Sequence, residues 1–104
     1  MSHTDLESKH INDMCHVTKS KLGNKVNIKD INNTINVMVD MAYNDKQLNN
    51  IYNKKYVIIN SLRKLHANID NHHTIIDTYD DVITNKLNHE KMKRIKKRKS
   101  CSCF

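Results

Sequence analysis

The sequence has no proline, no tryptophan, one glycine and one phenylalanine in 104 residues. With so few turn formers, many-stranded sandwiches and barrels are excluded, as is any glycine-rich loop that cradles phosphates. Three cysteines, Cys15, Cys101 and Cys103, are too few and too clustered for a disulfide framework. No apolar run approaches the ~18–20 residues that cross a bilayer, and the N-terminal stretch carries no apolar segment with a cleavage site. An intracellular protein of a reducing compartment is therefore expected. Hydrophobic residues make up 38% of the chain, little for the private core of one small domain. Partner helices or a membrane are expected to supply the missing burial.

What the chain does have is charge, unevenly placed. Its formal net charge is +7, and all acidic residues lie within 1–90, where an equal number of basic residues balances them. The whole excess sits on Lys91, Lys93, Arg94, Lys96, Lys97, Arg98 and Lys99. The sequence thus divides into an N-terminal helix (1–23), a neutral heptad segment (24–90) and a polybasic tail (91–104).

Thr4 to Leu22 reads as the first helix. Thr4-Asp5-Leu6-Glu7 has the form of a capping box, and Gly23 is placed to end the helix with a left-handed residue. Asn27 is the expected cap of the next helix, with Asp30 in its first turn and Val26 and Ile31 at the positions of a hydrophobic staple. Ile31, Ile35, Met38 and Ala42 beside Val37 and Met41 widen the apolar face, enough to seat the first helix as a hairpin.

No proline or glycine follows, so one helix is expected from about Ile28 into the tail. Steps of four and three connect Leu48, Ile51, Lys55, Ile58, Leu62, Leu65, Ile69, His72, Ile76, Tyr79 and Ile83 without a phase slip, a heptad seam long enough for a coiled coil. Ile51, Ile58, Leu62, Leu65, Ile69, His72, Ile76, Tyr79 and Ile83 are the residues expected to meet partner helices, in a homo- or hetero-oligomer. The fold expected is all-α, a short helix before a long heptad helix. The alternative is a three-helix bundle broken near Asn49-Asn50 or Asn53, since asparagine is a weak helix former.

The tail places Cys101 and Cys103 directly after its basic run. A cysteine four from the end is the acceptor position for a prenyl group, and a final Phe favours geranylgeranyl; Ser102 and Cys103 stand where that box usually has aliphatic residues. S-acylation of Cys101 or Cys103 is the other route. One lipid chain gives marginal binding, and each Lys or Arg near an anionic leaflet adds about 1 kcal/mol, so the two signals together hold a protein at a membrane. Lys96-Lys97-Arg98-Lys99 also fits a basic nuclear import signal, and the same cations would neutralise nucleic-acid phosphates. No aromatic residue interleaves them to stack bases.

At the centre of the seam, Ile69-Asp70 and Ile76-Asp77 lie seven residues apart, with His72 three after the first isoleucine. Residues 48–85 resemble the Qc-type SNARE motif, in particular that of SNAREs without a membrane span. The resemblance implies a four-helix zipper centred on His72, where the family has a buried glutamine. It also implies a role in membrane fusion or trafficking, with zipper, basic segment and lipid anchor in the order that fusion requires. His72 departs from the family, because an imidazole offers a different donor set from an amide.

Catalytic and metal-binding patterns are not evident. Adjacent His72 and His73 do not have the i, i+4 spacing of ligands on one helix face, and His10, Cys15 and His16 lack Cys-x-x-Cys spacing. Asp77, Asp80 and Asp81 read as a solvated helix face. The expectation is a protein that is not an enzyme and needs no cofactor or metal. It would be a coiled-coil interaction protein at the cytoplasmic face of a membrane, or alternatively a small nuclear or nucleic-acid-associated helical protein.

Overall fold

Gly23, the one glycine, ends the first helix with φ of 56°, in the left-handed region that a residue without Cβ enters without strain. The computed structural model describes residues 3–102, with side chains from residue 8 to residue 95. Its α-helices are α1 (His3–Leu22), α2 (Ile31–Asn44), α3 (Ile51–Leu65), α4 (His72–Asp77) and α5 (Asp80–Ser102). The described chain is all-α, as the sequence predicts. The side chains of the Thr4–Glu7 capping box lie outside the described residues.

Between α1 and α2, Gly23–Lys25 and Ile28–Asp30 each form a single 3-10 turn. Asn27 is extended, and its Oδ1 accepts the amides of Lys29 (2.8 Å) and Asp30 (3.1 Å). This is the expected cap, acting one 3-10 turn ahead of α2. Asn27→Ala is expected to lower stability by about 0.5–2 kcal/mol, with Asn27→Ser recovering most of it. Urea melts of the three proteins check this, and three equal midpoints would remove the cap from the account.

The chain does not run on as one helix. After Asn44 the backbone of Asp45 turns extended, and its Oδ1 accepts the Gln47 amide (2.9 Å) while its carbonyl accepts the Leu48 amide (3.1 Å). Asn50 is extended too, and its side chain accepts the Asn53 amide at 2.8 Å to start α3. Short polar side chains offer the backbone local bonds that compete with the helical ladder, and here they win. The second break follows Leu65. His66 and Ile69 close successive turns, and Asn71 takes φ of 63°, a conformation asparagine tolerates better than most residues. A shorter interruption at Thr78-Tyr79 separates α4 from α5. The expected single heptad helix is corrected to four helices. The alternative, a bundle broken near Asn49-Asn50, is closer, although Asn53 lies inside α3.

These breaks let the stripes converge. Ile31, Ile35, Met38, Val39 and Ala42 of α2 meet Val57, Ile58 and Leu62 of α3, with Ile76 of α4, Ile83 and Leu87 of α5, Met14 of α1 and Leu48 of the connecting loop. Full burial of each large aliphatic side chain is worth about 1.5–3 kcal/mol. Helix α1 lies chiefly against α3 and less against α2, the expected hairpin partner. The Cys15 thiol meets the Ser61 carbonyl (3.4 Å), and the Ser61 hydroxyl meets the Ile11 carbonyl (3.5 Å).

Of the nine residues assigned to a partner seam, Ile58, Leu62, Ile76 and Ile83 are buried inside this bundle, and Ile51, Leu65, Ile69, His72 and Tyr79 are half-buried. The heptad pattern marks burial correctly and its destination differently: the facing helices belong to the same chain. Leu87, out of phase with the seam, is fully buried, because α5 meets the core in its own phase, with Ile83 and Leu87 one turn apart.

Candidate functional site

Helix α5 carries the basic segment. Asp80 and Asp81 occupy its first turn, where negative charge suits the helix dipole, and the cations follow toward the opposite end. Ile83 and Leu87 seat the helix, and beyond Leu87 no described residue of α5 is buried.

The described cations differ in their freedom. Lys91 and Lys93 are exposed. Arg94 is half-buried and engaged: Nε donates to Glu90 Oε2 at 2.7 Å, a terminal nitrogen lies 3.5 Å from Asp40, and the guanidinium stands 5.1 Å from the centre of the Tyr43 ring. The Lys54 ammonium lies 4.8 Å from the same ring and donates to the Leu48 carbonyl. The Tyr43 hydroxyl donates to the Leu87 carbonyl at 2.7 Å. Burial, then the charge of Glu90, raises the Tyr43 phenol above its usual range, and burial lowers the Lys54 amine against the opposing pull of Asp45. Arg94 therefore binds α5 to α2, while Lys91 and Lys93 remain to meet an external anion. The side chains of Lys96, Lys97, Arg98, Lys99 and Cys101, and Cys103 entirely, lie outside the described residues.

Beside this helix, α3 presents Tyr52 and Tyr56 to solvent. They border an open groove of about 500 Å³ together with Lys55, Ile59, Asn60 and Arg63. Lys55 is paired with Asp80 (2.8 Å) and Arg63 with Asp77 (3.2 Å), so the groove's own cations are neutralised by α4 and α5. Tyr52 also borders a second opening of about 400 Å³, which Lys91 lines from α5. Folding thus brings an aromatic residue to the start of the basic segment, a neighbour that the linear sequence does not offer.

The histidines separate by environment. His72 and His73 do not diverge as helix geometry predicts: their rings are 4.1 Å apart at 36°, and His72 Nδ1 lies 2.9 Å from the Ile69 carbonyl oxygen. His10 is buried on α1 and pairs with Asp45 at 2.7 Å, fastening α1 to the loop after α2. The long separation of those two residues hides this pair from sequence reasoning. His66 is 2% exposed, and its Nε2 has no hydrogen-bond partner among the described residues. Burial, followed by the nearby charge of His72, holds it below its ordinary value.

A histidine lowered in the folded state takes up its proton first in the unfolded chain, whose value is about 6.5. The His66 contribution is therefore complete above about pH 6.5, is lost as pH falls through the lower folded value, and levels off below it. Thermal melts from about pH 7.5 to about pH 5 should show a falling midpoint, and His66→Leu should flatten that slope. Equal slopes in the two proteins would exclude His66 as the cause.

Cys15 is buried on α1 while His16 on the same helix is exposed, and burial raises the Cys15 thiol, which suits packing better than nucleophilic chemistry. Among the described residues, no group of three His, Cys, Asp or Glu side chains lies close enough to hold a metal ion. No described helix is long and apolar enough to cross a membrane. No family model, curated protein or solved structure matches this chain.

Proposed function

We propose that the protein is a helical-bundle adaptor held at an anionic membrane surface by its cationic C-terminal segment, with Cys101 or Cys103 as the lipid acceptor. The observation that carries this reading is charge segregation: a body without net charge, and a segment holding the whole +7 beside two cysteines. Cations so close to a lipidated cysteine supply the second signal that stable anchoring requires. The SNARE-like form of the reading adds a condition. Ile58, Leu62, Ile76 and Ile83 are enclosed by the bundle, so zippering with partner helices would first require α3, α4 and α5 to separate.

Fractionation tests the anchor. The native chain should partition with membranes, and Cys101→Ser with Cys103→Ser should shift most of it to the soluble fraction. A hydroxylamine-sensitive label on the native protein would identify a thioester-linked lipid. Equal partition of native and substituted chains, without a lipid on either cysteine, would remove the lipid from the proposal.

A further inference from the structure

Large hydrophobic side chains are exposed at few places in the described molecule: Tyr52 (84%), Tyr56 (49%), Met92 (55%) and Ile95 (38%). They come from one end of α3 and the outer part of α5, the two segments that Tyr52 and Lys91 join across their shared opening. Ile95 follows Lys91 by one helical turn and so lies on the same side of α5, and Met92 is one residue further round. We propose that Tyr52, Tyr56, Met92 and Ile95, rimmed by Lys91, form one face that seats directly on an anionic lipid bilayer. The inference rests on the membrane reading above and adds to it a contact made by the folded bundle, which sets its orientation and does not depend on a lipidated cysteine.

The composition of the face selects the partner. Tyrosine, methionine and isoleucine among lysines match the interface of a bilayer, where aromatic rings lie at headgroup depth and lysine stems run along apolar surface with their ammonium groups in water. A single-stranded nucleic acid also stacks on tyrosine, but it needs a run of free cations to follow its backbone. Lys55 and Arg63, the cations of the tyrosine groove, are both paired with carboxylates. The tyrosine groove is therefore close to neutral, which favours partial insertion over tracking of phosphates. The cations after residue 95 complement anionic headgroups beyond the apolar patch.

The test uses the full chain with Cys101→Ser and Cys103→Ser, so that no lipid contributes. Because the sequence holds no tryptophan, Tyr52→Trp provides a single reporter, and Ala67→Trp, just past the far end of α3, provides its control. With vesicles of phosphatidylcholine and phosphatidylserine, the indole emission from position 52 should move to shorter wavelength and be quenched by brominated lipid, while the control should be unaffected. Tyr52→Ser with Tyr56→Ser should weaken partition about tenfold, what removing roughly 60 Å² of apolar area from burial would cost. Both tyrosines are exposed, so circular dichroism should show the fold retained. Vesicle binding without quenching at position 52, and without loss in the double variant, would overturn the seated face and leave the cationic tether standing. No binding to these vesicles would overturn both. Quenching at position 52 by a single-stranded oligonucleotide, without vesicle binding, would assign the surface to nucleic acid and overturn the proposal.

Discussion

Leu62→Ala is expected to lower the stability of the isolated chain by about 2–5 kcal/mol, with a transition independent of protein concentration. Leu62 is fully buried in α3, among residues contributed by every helix of the bundle. Truncation removes its apolar transfer energy and leaves a cavity that the surrounding helices fill only in part. Domains of this size are stable by about 5–15 kcal/mol, so the loss is a large fraction of the total. Equilibrium denaturation at two concentrations tenfold apart gives the decisive comparison. In a partner-dependent coiled coil the midpoint would rise with concentration and Leu62→Ala would act on assembly. A concentration-dependent midpoint in the wild-type chain would return Leu62 to a seam between molecules.

Replacing Lys96, Lys97, Arg98 and Lys99 with glutamine should weaken partition onto vesicles containing phosphatidylserine by about 4 kcal/mol, roughly a thousandfold, at about 1 kcal/mol for each cation near an anionic surface. The effect should shrink as salt is raised, because screening shortens the reach of each charge to a Debye length of about 8 Å at 0.15 M. Sedimentation with vesicles at two salt concentrations reads both quantities. Arg94→Gln should behave differently. Its guanidinium is held by Glu90, Asp40 and the Tyr43 ring, so its loss should appear mainly in the thermal midpoint. Equal and salt-insensitive partition of the fourfold variant would remove the electrostatic tether.

The helical character of the chain, the stop at Gly23 and the cap at Asn27 are readable from sequence because each depends on residues close together along the chain. The apolar stripe also identifies core residues: Ile58, Leu62, Ile76 and Ile83 are all fully or almost fully buried. What the stripe does not encode is whether the helices it faces lie within the chain or outside it, since a heptad seam and a bundle face obey nearly the same periodicity. The answer rests on the polar clusters at Asn44-Asp45 and Asn68 to Asn71, where local side-chain bonds and one left-handed residue turn the chain back. Cation freedom is likewise hidden. Arg94 looks like Lys93 in the sequence, and only folding brings Tyr43 and Asp40 beside it. The tyrosine groove is lined by α3 alone, at helical spacing, whereas the opening that Tyr52 shares with Lys91 and the His10–Asp45 pair arise from contacts between separate elements, which no local pattern announces.

The clamp around Tyr43 has a mechanical consequence. A segment attached by a loose linker acts as a leash, under which a body tumbles in every direction. Here α5 is one continuous helix, and where its basic segment begins a phenol bonded to the Leu87 carbonyl and an arginine paired with α2 resist its rotation. Whatever holds the far end of α5 therefore acts through a lever. A force applied there would reach α2 through Tyr43 and Asp40, so the orientation of the bundle is coupled to that of the tail.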